Sequence, residues 1–131
     1  MKSTRKKIIF ILEKTDTGFS VYADKYPIYT TGGNISEVYD NALEASSLYF
    51  AEEGLEIKPG NIQLEIDLKQ FFTYYRVINA KYLAQRIGMN ESLLSQYVKG
   101  RKKPSKKQTE RIIAGIHEIG KELTEINLIT Q

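Results

Sequence analysis

The stretch at residues 79–100, NAKYLAQRIGMNESLLSQYVKG, sets the fold expected for the C-terminal half of this 131-residue chain. Two short helices that cross closely need a small residue at the crossing, and Ala84 supplies it. The turn between them needs a residue that tolerates positive φ, and Gly88 stands four residues later. Leu94 and Tyr97 give the second helix an apolar face that packs back on the first. These residue types at these offsets predict a helix-turn-helix.

Helical spacing continues on both sides of this stretch. Apolar residues from position 68 onward predict a preceding helix, and Asn79 and Asn90 are predicted to cap the next two helices. A further helix is predicted over about residues 106–123. We therefore expect residues 67–131 to form an all-α domain.

The last predicted helix repeats isoleucine and leucine at steps of four and three residues. This spacing is typical of a dimer seam, and it is equally typical of a helix that packs against its own domain. The sequence does not decide between a dimer seam and packing within the domain. The residues of the repeat are Ile112, Ile116, Ile119, Leu123 and Ile126.

The first half has the period of strands rather than helices. Between its third and fourth strands, Asn34 with Glu37 three residues later has the form of a capping box, and Gly54 is a plausible stop for the helix that it begins. Residues 1–66 are thus predicted to form a small β-β-β-α-β domain, and the whole chain is expected to be α+β. The predicted strands are residues 7–12, 19–23, 28–31 and 62–66.

The balance of charge also changes at the boundary between the two predicted domains, after residue 66. Residues 1–66 carry 7 Lys/Arg and 10 Asp/Glu, whereas residues 67–131 carry 12 and 6. An acidic block followed by a basic block predicts two modules with different partners, although chance segregation on solvated faces gives the same pattern. The chain has no cysteine, which excludes disulfides and cysteine-ligated zinc and favours a cytoplasmic location. Its apolar runs are too short to span a bilayer, so we expect no membrane partner.

The C-terminal half resembles the phage-repressor type of helix-turn-helix, also called Xre/Cro-like. The resemblance covers roughly residues 67–123 and is carried by LAQRIG at 83–88, the apolar Leu94 and Tyr97, and GRKKP at 100–104. It implies that the helix beginning near Asn90 enters the major groove of double-stranded DNA. It also implies a homodimer or higher oligomer that reads two half-sites.

The geometry of such docking assigns roles to polar residues. The predicted base-reading residues are Asn90, Glu91, Ser92, Ser95 and Gln96. The predicted phosphate contacts, which supply affinity rather than sequence choice, are Asn79, Lys99, Arg101, Lys102, Lys103, Lys106 and Lys107.

The first half resembles the HicB family of antitoxins. The matching features are the apolar first strand, TGFSV at 17–21, TGGNISEV at 31–38 and NALEA at 41–45. The resemblance implies a partial RNase H-like fold that neutralises a small basic RNA-cleaving toxin similar to HicA, while the second domain represses the operator of its own operon. The residues predicted to bind the toxin are Tyr22, Asp24, Tyr26, Glu37, Asp40 and Glu44.

Three functions follow as competing hypotheses: an autoregulatory antitoxin, a stand-alone transcriptional repressor whose first half senses a ligand or dimerises, and a metal-dependent nuclease. RNase H chemistry needs several converging carboxylates, and Asp16 and Asp24 sit in or beside turns. His117, the single histidine, has no partner at metal-ligand spacing. We therefore expect no enzyme activity, no catalytic residues, no metal site and no cofactor, and the antitoxin is the preferred reading.

Overall fold

The computed structural model describes residues 1–127 and combines helices with two small sheets, which confirms the α+β class. The chain divides into two compact units, Met1–Tyr74 and Tyr75–Gln131, here called the sheet unit and the helical unit. Positions 128–131 of the predicted second module lie outside the described residues.

The sheet unit contains a four-stranded sheet in the order β4-β3-β2-β6. Strands β2, β3 and β4 are antiparallel neighbours, and β6 runs parallel to β2. Two very short strands, β1 and β5, pair separately and were not predicted, because two residues carry no recognisable period. The strands are β1 Lys2–Ser3, β2 Ile8–Thr15, β3 Gly18–Ala23, β4 Tyr29–Gly32, β5 Leu55–Glu56 and β6 Ile62–Ile66.

Alternation along the strands separates two faces of this sheet. Ile8, Phe10 and Val21 are fully buried and belong to one hydrophobic core. Helix α1 (Ile35–Phe50) covers this face with Val38 and Ala42, which are fully buried as well. Intervening strand residues point to the opposite face, because successive side chains of a strand alternate.

Helix α1 begins where the sequence predicts. The Asn34 side chain accepts a hydrogen bond from the Glu37 N–H at 2.9 Å, which satisfies one of the free donors of the first turn. The helix continues as a 3₁₀ turn over Ala51–Glu53 and stops at Gly54, whose φ of 70° is left-handed. The predicted Asn34 side-chain cap and the Gly54 stop are confirmed, and the hydrogen bond from the cap is the Asn34 half of the predicted capping box.

Helix α2 (Leu68–Tyr74) belongs to the sheet unit, so the division falls after Tyr74 and not after the predicted residue 66. The Gln70 side chain accepts from the Lys14 N–H at 2.9 Å and donates to the Lys14 carbonyl at 2.7 Å. It thereby continues the hydrogen bonding of β2 beyond the end of β6 at Ile66. The Tyr74 hydroxyl also donates to the Asp16 carboxylate at 3.1 Å. Helical period alone could not reveal these contacts.

The helical unit contains three helices within its described residues. Asn79 and Asn90 cap the first two as predicted, since each side chain accepts an N–H three residues later. The Ser105 side chain caps the third in the same way. The helices are α3 Ala80–Ile87, α4 Glu91–Val98 and α5 Lys106–Thr124.

Candidate nucleic-acid interface and acidic surfaces

The turn between α3 and α4 is closed by several hydrogen bonds. Gly88 has a φ of 68°, the left-handed conformation predicted for it. The Met89 N–H donates to the Ala84 carbonyl at 2.9 Å. From α5, Arg111 Nη2 donates to the carbonyls of Ile87 and Gly88 at 2.7 and 2.8 Å. Arg111 thus holds the turn, a role that sequence spacing does not indicate because the contact spans more than twenty residues.

Apolar packing fixes the angle between the three helices. Ala84 and Leu94 are fully buried, as the predicted crossing requires, and Ile112 of α5 is fully buried too. Gly115 lets α5 approach α3 closely, because a Cβ at this position would collide with the Ile87 side chain. A helix-turn-helix with a fixed geometry results.

One side of α4 faces away from this packing. Glu91, Ser92 and Gln96 are exposed, and Ser95 is half-buried. Leu94 points the opposite way into the unit. The exposed side therefore offers carboxylate, hydroxyl and amide groups, which are the side-chain types that read base edges.

Two of the predicted base-reading residues are engaged within the protein. The Asn90 Oδ1 accepts from the Leu93 N–H at 3.1 Å, so its oxygen serves as the helix cap. The Glu91 Oε1 accepts from Gln85 Nε2 at 2.5 Å, which links α4 to α3. These contacts give Asn90 and Glu91 a positioning role, and they leave Ser92 and Gln96 as the better placed readers.

The basic loop after α4 is held against the end of that helix. The N–H groups of Arg101 and Lys102 donate to the Gln96 carbonyl at 2.9 and 3.4 Å. Gly100 allows the reversal with a φ of 72°. These contacts bring the loop and the exposed side of α4 together. The exposed cations of this region are Lys99, Arg101, Lys102, Lys103, Lys106 and Lys107.

Lys106 and Lys107 occupy the first turn of α5, which contains no acidic residue. The macrodipole makes the N-terminus of a helix partially positive, so lysine there costs about 0.3–1 kcal/mol relative to the favourable placement of an acid. The same N–H groups and positive charges are a suitable environment for a phosphate. Asn79 caps α3 at a second exposed helix N-terminus, as expected.

An apolar groove of about 760 Å³ lies between α3 and the second half of α5. Val77 at its edge is 90% exposed, and Tyr82 and Leu123 are about 60% exposed (62% and 60%). Arg86 forms an ion pair with Glu122 beside this groove. Apolar side chains this open to solvent are typical of a surface that can bind another molecule.

The residues of the predicted isoleucine repeat differ in burial along α5. Ile112 is fully buried in the unit, so it packs internally and does not belong to a seam. Ile116 and Ile119 are half-buried and line the groove together with Leu123. Ile126 is 63% exposed. Internal packing is thus confirmed for Ile112, and the dimer seam stays a prediction for the exposed end of the repeat.

The residues predicted to bind a toxin lie on two opposite sides of the sheet unit. Tyr22 is 41% exposed and alternates with buried Val21, so it projects from the face opposite α1. Glu37, Asp40 and Glu44 are exposed on α1. One flat partner surface does not reach both groups.

Tyr26 packs inside the sheet unit. Its ring centroid lies 5.0 Å from that of Phe50 and 5.9 Å from that of Tyr49, and the Lys6 Nζ lies 5.5 Å from it. Tyr26 is half-buried, and the aromatic cluster at the end of α1 holds its ring. Its contact with a toxin stays a prediction. Asp24 is exposed directly after β3.

Burial raises the pKa of the Tyr22 hydroxyl above its ordinary value, and the nearby carboxylates of Glu13 and Asp67 raise it further. Both carboxylates oppose the formation of a second negative charge. Tyr22 is therefore neutral and able to donate a hydrogen bond at physiological pH.

The carboxylates considered for nuclease chemistry lie apart. Asp16 precedes β3 and Asp24 follows it, and a six-residue strand separates their backbones by roughly 20 Å. Among residues 1–127, no group of three or more His, Cys, Asp or Glu side chains is arranged to hold a metal ion. His117 is exposed on α5. None of the helices in the described part of the chain has the length and apolar character that crossing a membrane requires.

No protein-family model matches this chain, and no curated protein matches it in a sequence search.

Proposed function

We propose that the helical unit binds double-stranded DNA through α4, and that the chain is an antitoxin that represses its own operon. The observation that carries the DNA-binding proposal is a pair of backbone hydrogen bonds. The N–H groups of Arg101 and Lys102 donate to the Gln96 carbonyl, which holds the basic loop against α4. The exposed polar side of α4 and the basic loop become one surface. Proteins that recognise a DNA sequence through the major groove need both base-contacting and phosphate-binding groups.

In this proposal Ser92 and Gln96 contact base edges, and the amide of Gln96 suits the hydrogen-bonding edge of adenine. The cations of the loop and of the first turn of α5 neutralise phosphates. The helix N-terminus capped by Asn79 offers backbone N–H groups to a further phosphate. Arg111 and Gln85 act as positioning residues, because they hold the turn and the start of α4.

A second copy of the chain covers the groove between α3 and α5 in this proposal. The groove is apolar at its base, and its edge carries both a cation at Arg86 and carboxylates at Glu118 and Glu122. A two-fold contact can therefore pair opposite charges around an apolar centre. Dimerisation also places two copies of α4 on two half-sites, which raises both affinity and specificity.

The antitoxin part of the proposal rests on charge and on the resemblance of the first half to the HicB family. The sheet unit carries 8 Lys/Arg and 11 Asp/Glu, and the helical unit carries 11 and 5. An acidic unit steers a basic protein toward it, whereas a basic unit attracts nucleic acid. A small basic RNA-cleaving toxin similar to HicA fits the first requirement.

The DNA-binding proposal is tested by selecting duplexes with the full chain from a random-sequence pool and sequencing those that stay bound. We expect an enriched sequence with two related half-sites. Gln96→Ala should relax the preference at one base pair per half-site by about 1–3 kcal/mol. Lys99→Ala is the contrasting variant and should weaken all duplexes alike. A pool without enrichment at physiological salt would contradict the proposal.

The antitoxin proposal is tested by expressing the small basic protein encoded beside this chain, alone and together with the full chain. Growth arrest by the basic protein alone, with recovery on co-expression, is the expected result. If no basic protein encoded there arrests growth, the antitoxin proposal fails, and a stand-alone repressor replaces it.

A further inference from the structure

The sheet unit has one face that α1 does not cover. Tyr22 of β3 pairs with Tyr29 of β4 on one side and with Ile11 of β2 on the other, so these three side chains form a row across the sheet. Tyr29 is 66% exposed and Tyr22 is 41% exposed. Ile11 and Ile9 are half-buried on the same face. We call this side of the sheet, centred on Ile9, Ile11, Tyr22 and Tyr29, the open face.

The charged side chains that project from the strands of the open face are all acidic. Glu13 and Glu65 project from β2 and β6 by the same alternation, and Asp24 and Asp67 directly follow β3 and β6. The strands themselves place no lysine or arginine on this face. Lys7, directly before β2, alternates toward it, and its Nζ donates to the Gly60 carbonyl at 2.7 Å. Aromatic and aliphatic side chains in the centre are thus flanked by carboxylates of β2 and β6 and of the residues that follow β3 and β6.

This arrangement has the composition of a protein interface rather than of an ordinary solvated surface. Tyrosine is enriched at interface centres because it combines a large apolar area with a hydroxyl that can form hydrogen bonds. Charged groups are typical of the rim, where they steer the partner and fix its orientation. A second copy is a poor occupant, because a two-fold contact would place these carboxylates against one another.

We propose that the open face receives a basic protein partner, whose arginine or lysine side chains pair with the carboxylates and stack on Tyr22 and Tyr29. This inference deepens the proposed antitoxin function and rests on it for the identity of the partner. A guanidinium that stacks on an aromatic ring while it pairs with a carboxylate is the geometry that arginine favours. The acidic side chains of α1 lie on the other side of the unit and take no part.

The test uses a nine-arginine peptide as a probe of the open face. The peptide is titrated into the ¹⁵N-labelled full chain, and amide shifts are followed by NMR. We expect the largest changes in β2, β3 and β4 around Tyr22. Glu13→Lys with Asp24→Lys should weaken binding of the peptide at least about fivefold, because it reverses two charges at the rim. Tyr22→Ala with Tyr29→Ala should also weaken binding, without any change in net charge.

Asp40→Lys with Glu44→Lys is the matched control. It makes the same change in net charge on the exposed side of α1. We expect binding of the peptide to change less than about twofold in this variant, since only long-range attraction is altered. Equal or greater weakening by the α1 variant would overturn the inference. A dimer of the unbound chain that dissociates on Tyr22→Ala would also overturn it, since the open face would then belong to a second copy.

The same two charge-reversal pairs are then tested against the basic protein of the co-expression experiment. Loss of that complex with the open-face pair and its retention with the α1 pair support the inference. The opposite result overturns the inference and leaves the antitoxin proposal standing. Failure of the wild-type chain to bind the basic protein overturns the antitoxin proposal, and a positive peptide result then describes a basic partner of another kind.

Discussion

The sheet unit and the helical unit place their charges in different ways. In the helical unit six cations lie within residues 99–107, so they must be close in space whatever the fold. In the sheet unit the carboxylates are scattered along the chain, and the fold places those of the strands on the open face and those of α1 on the other side. The difference teaches that a contiguous charge run identifies a surface from sequence alone, whereas scattered charges do so only after the register is known.

The largest expected effect comes from reversing charge in the helical unit. Arg101→Glu with Lys102→Glu should lower affinity for DNA about 10²–10³-fold and reduce the slope of log K against log salt by about 2, because two phosphate contacts are lost. Fluorescence anisotropy with a labelled duplex across a salt series measures both quantities. Lys25→Glu with Lys58→Glu, two exposed lysines of the sheet unit, is the control of equal charge. An unchanged salt slope in the variant with Arg101→Glu and Lys102→Glu would show that the loop does not contact phosphates.

Replacing either of two glycines in α5 by alanine should change the stability of the helical unit in opposite directions. Gly115→Ala places a Cβ against Ile87 and should lower the free energy of unfolding of the helical unit by about 1–3 kcal/mol. Gly120→Ala meets nothing within 4 Å and should raise it by up to about 1 kcal/mol, because alanine favours a helix. Hydrogen exchange followed by NMR reports on each unit separately. Equal effects of the two changes would contradict the close approach of α5 to α3.

A smaller effect tests where the two units divide. Gln70→Ala leaves the N–H and carbonyl of Lys14 without their partner and should destabilise the sheet unit by about 1–2 kcal/mol. Lys69→Ala changes an exposed neighbour on the same helix and should have little effect. Hydrogen exchange in β2 provides the measurement. Destabilisation confined to the helical unit would restore the boundary predicted after residue 66.

The smallest effect concerns Tyr22 on the open face. Because its pKa is raised in the folded state, this hydroxyl contributes stability below its ordinary pKa, and the contribution disappears as the pH rises through the folded-state value. Glu13→Gln should lower the pKa of Tyr22 by removing one opposing charge, although burial still keeps it raised. NMR of ring-labelled tyrosine follows the titration. A titration unaffected by Glu13→Gln would show that this carboxylate does not act on the open face.

Local signals explain what was predictable. The caps at Asn34, Asn79 and Asn90 and the turn glycines Gly54 and Gly88 depend on neighbours within five residues, so the sequence reveals them. The predicted helix-turn-helix is likewise a local motif.

Long-range contacts explain what was not predictable. Arg111 reaches Ile87 and Gly88 across the unit, and Gln70 reaches Lys14 across the sheet unit. The aromatic contact of Tyr26 with Phe50 is likewise not indicated by the neighbours of Tyr26 along the chain. Sequence identified the chemical character of these residues but not what they contact.

The central claim is that the two units serve two partners of opposite charge, and purification of the full chain at its natural level tests it most directly. Mass spectrometry and nucleic-acid sequencing then identify whatever remains bound. The account predicts a stoichiometric small basic protein that arrests growth when it is made alone, together with DNA from the promoter of the same operon. Recovery of DNA without any basic protein would contradict the antitoxin account and would identify the chain as a stand-alone regulator.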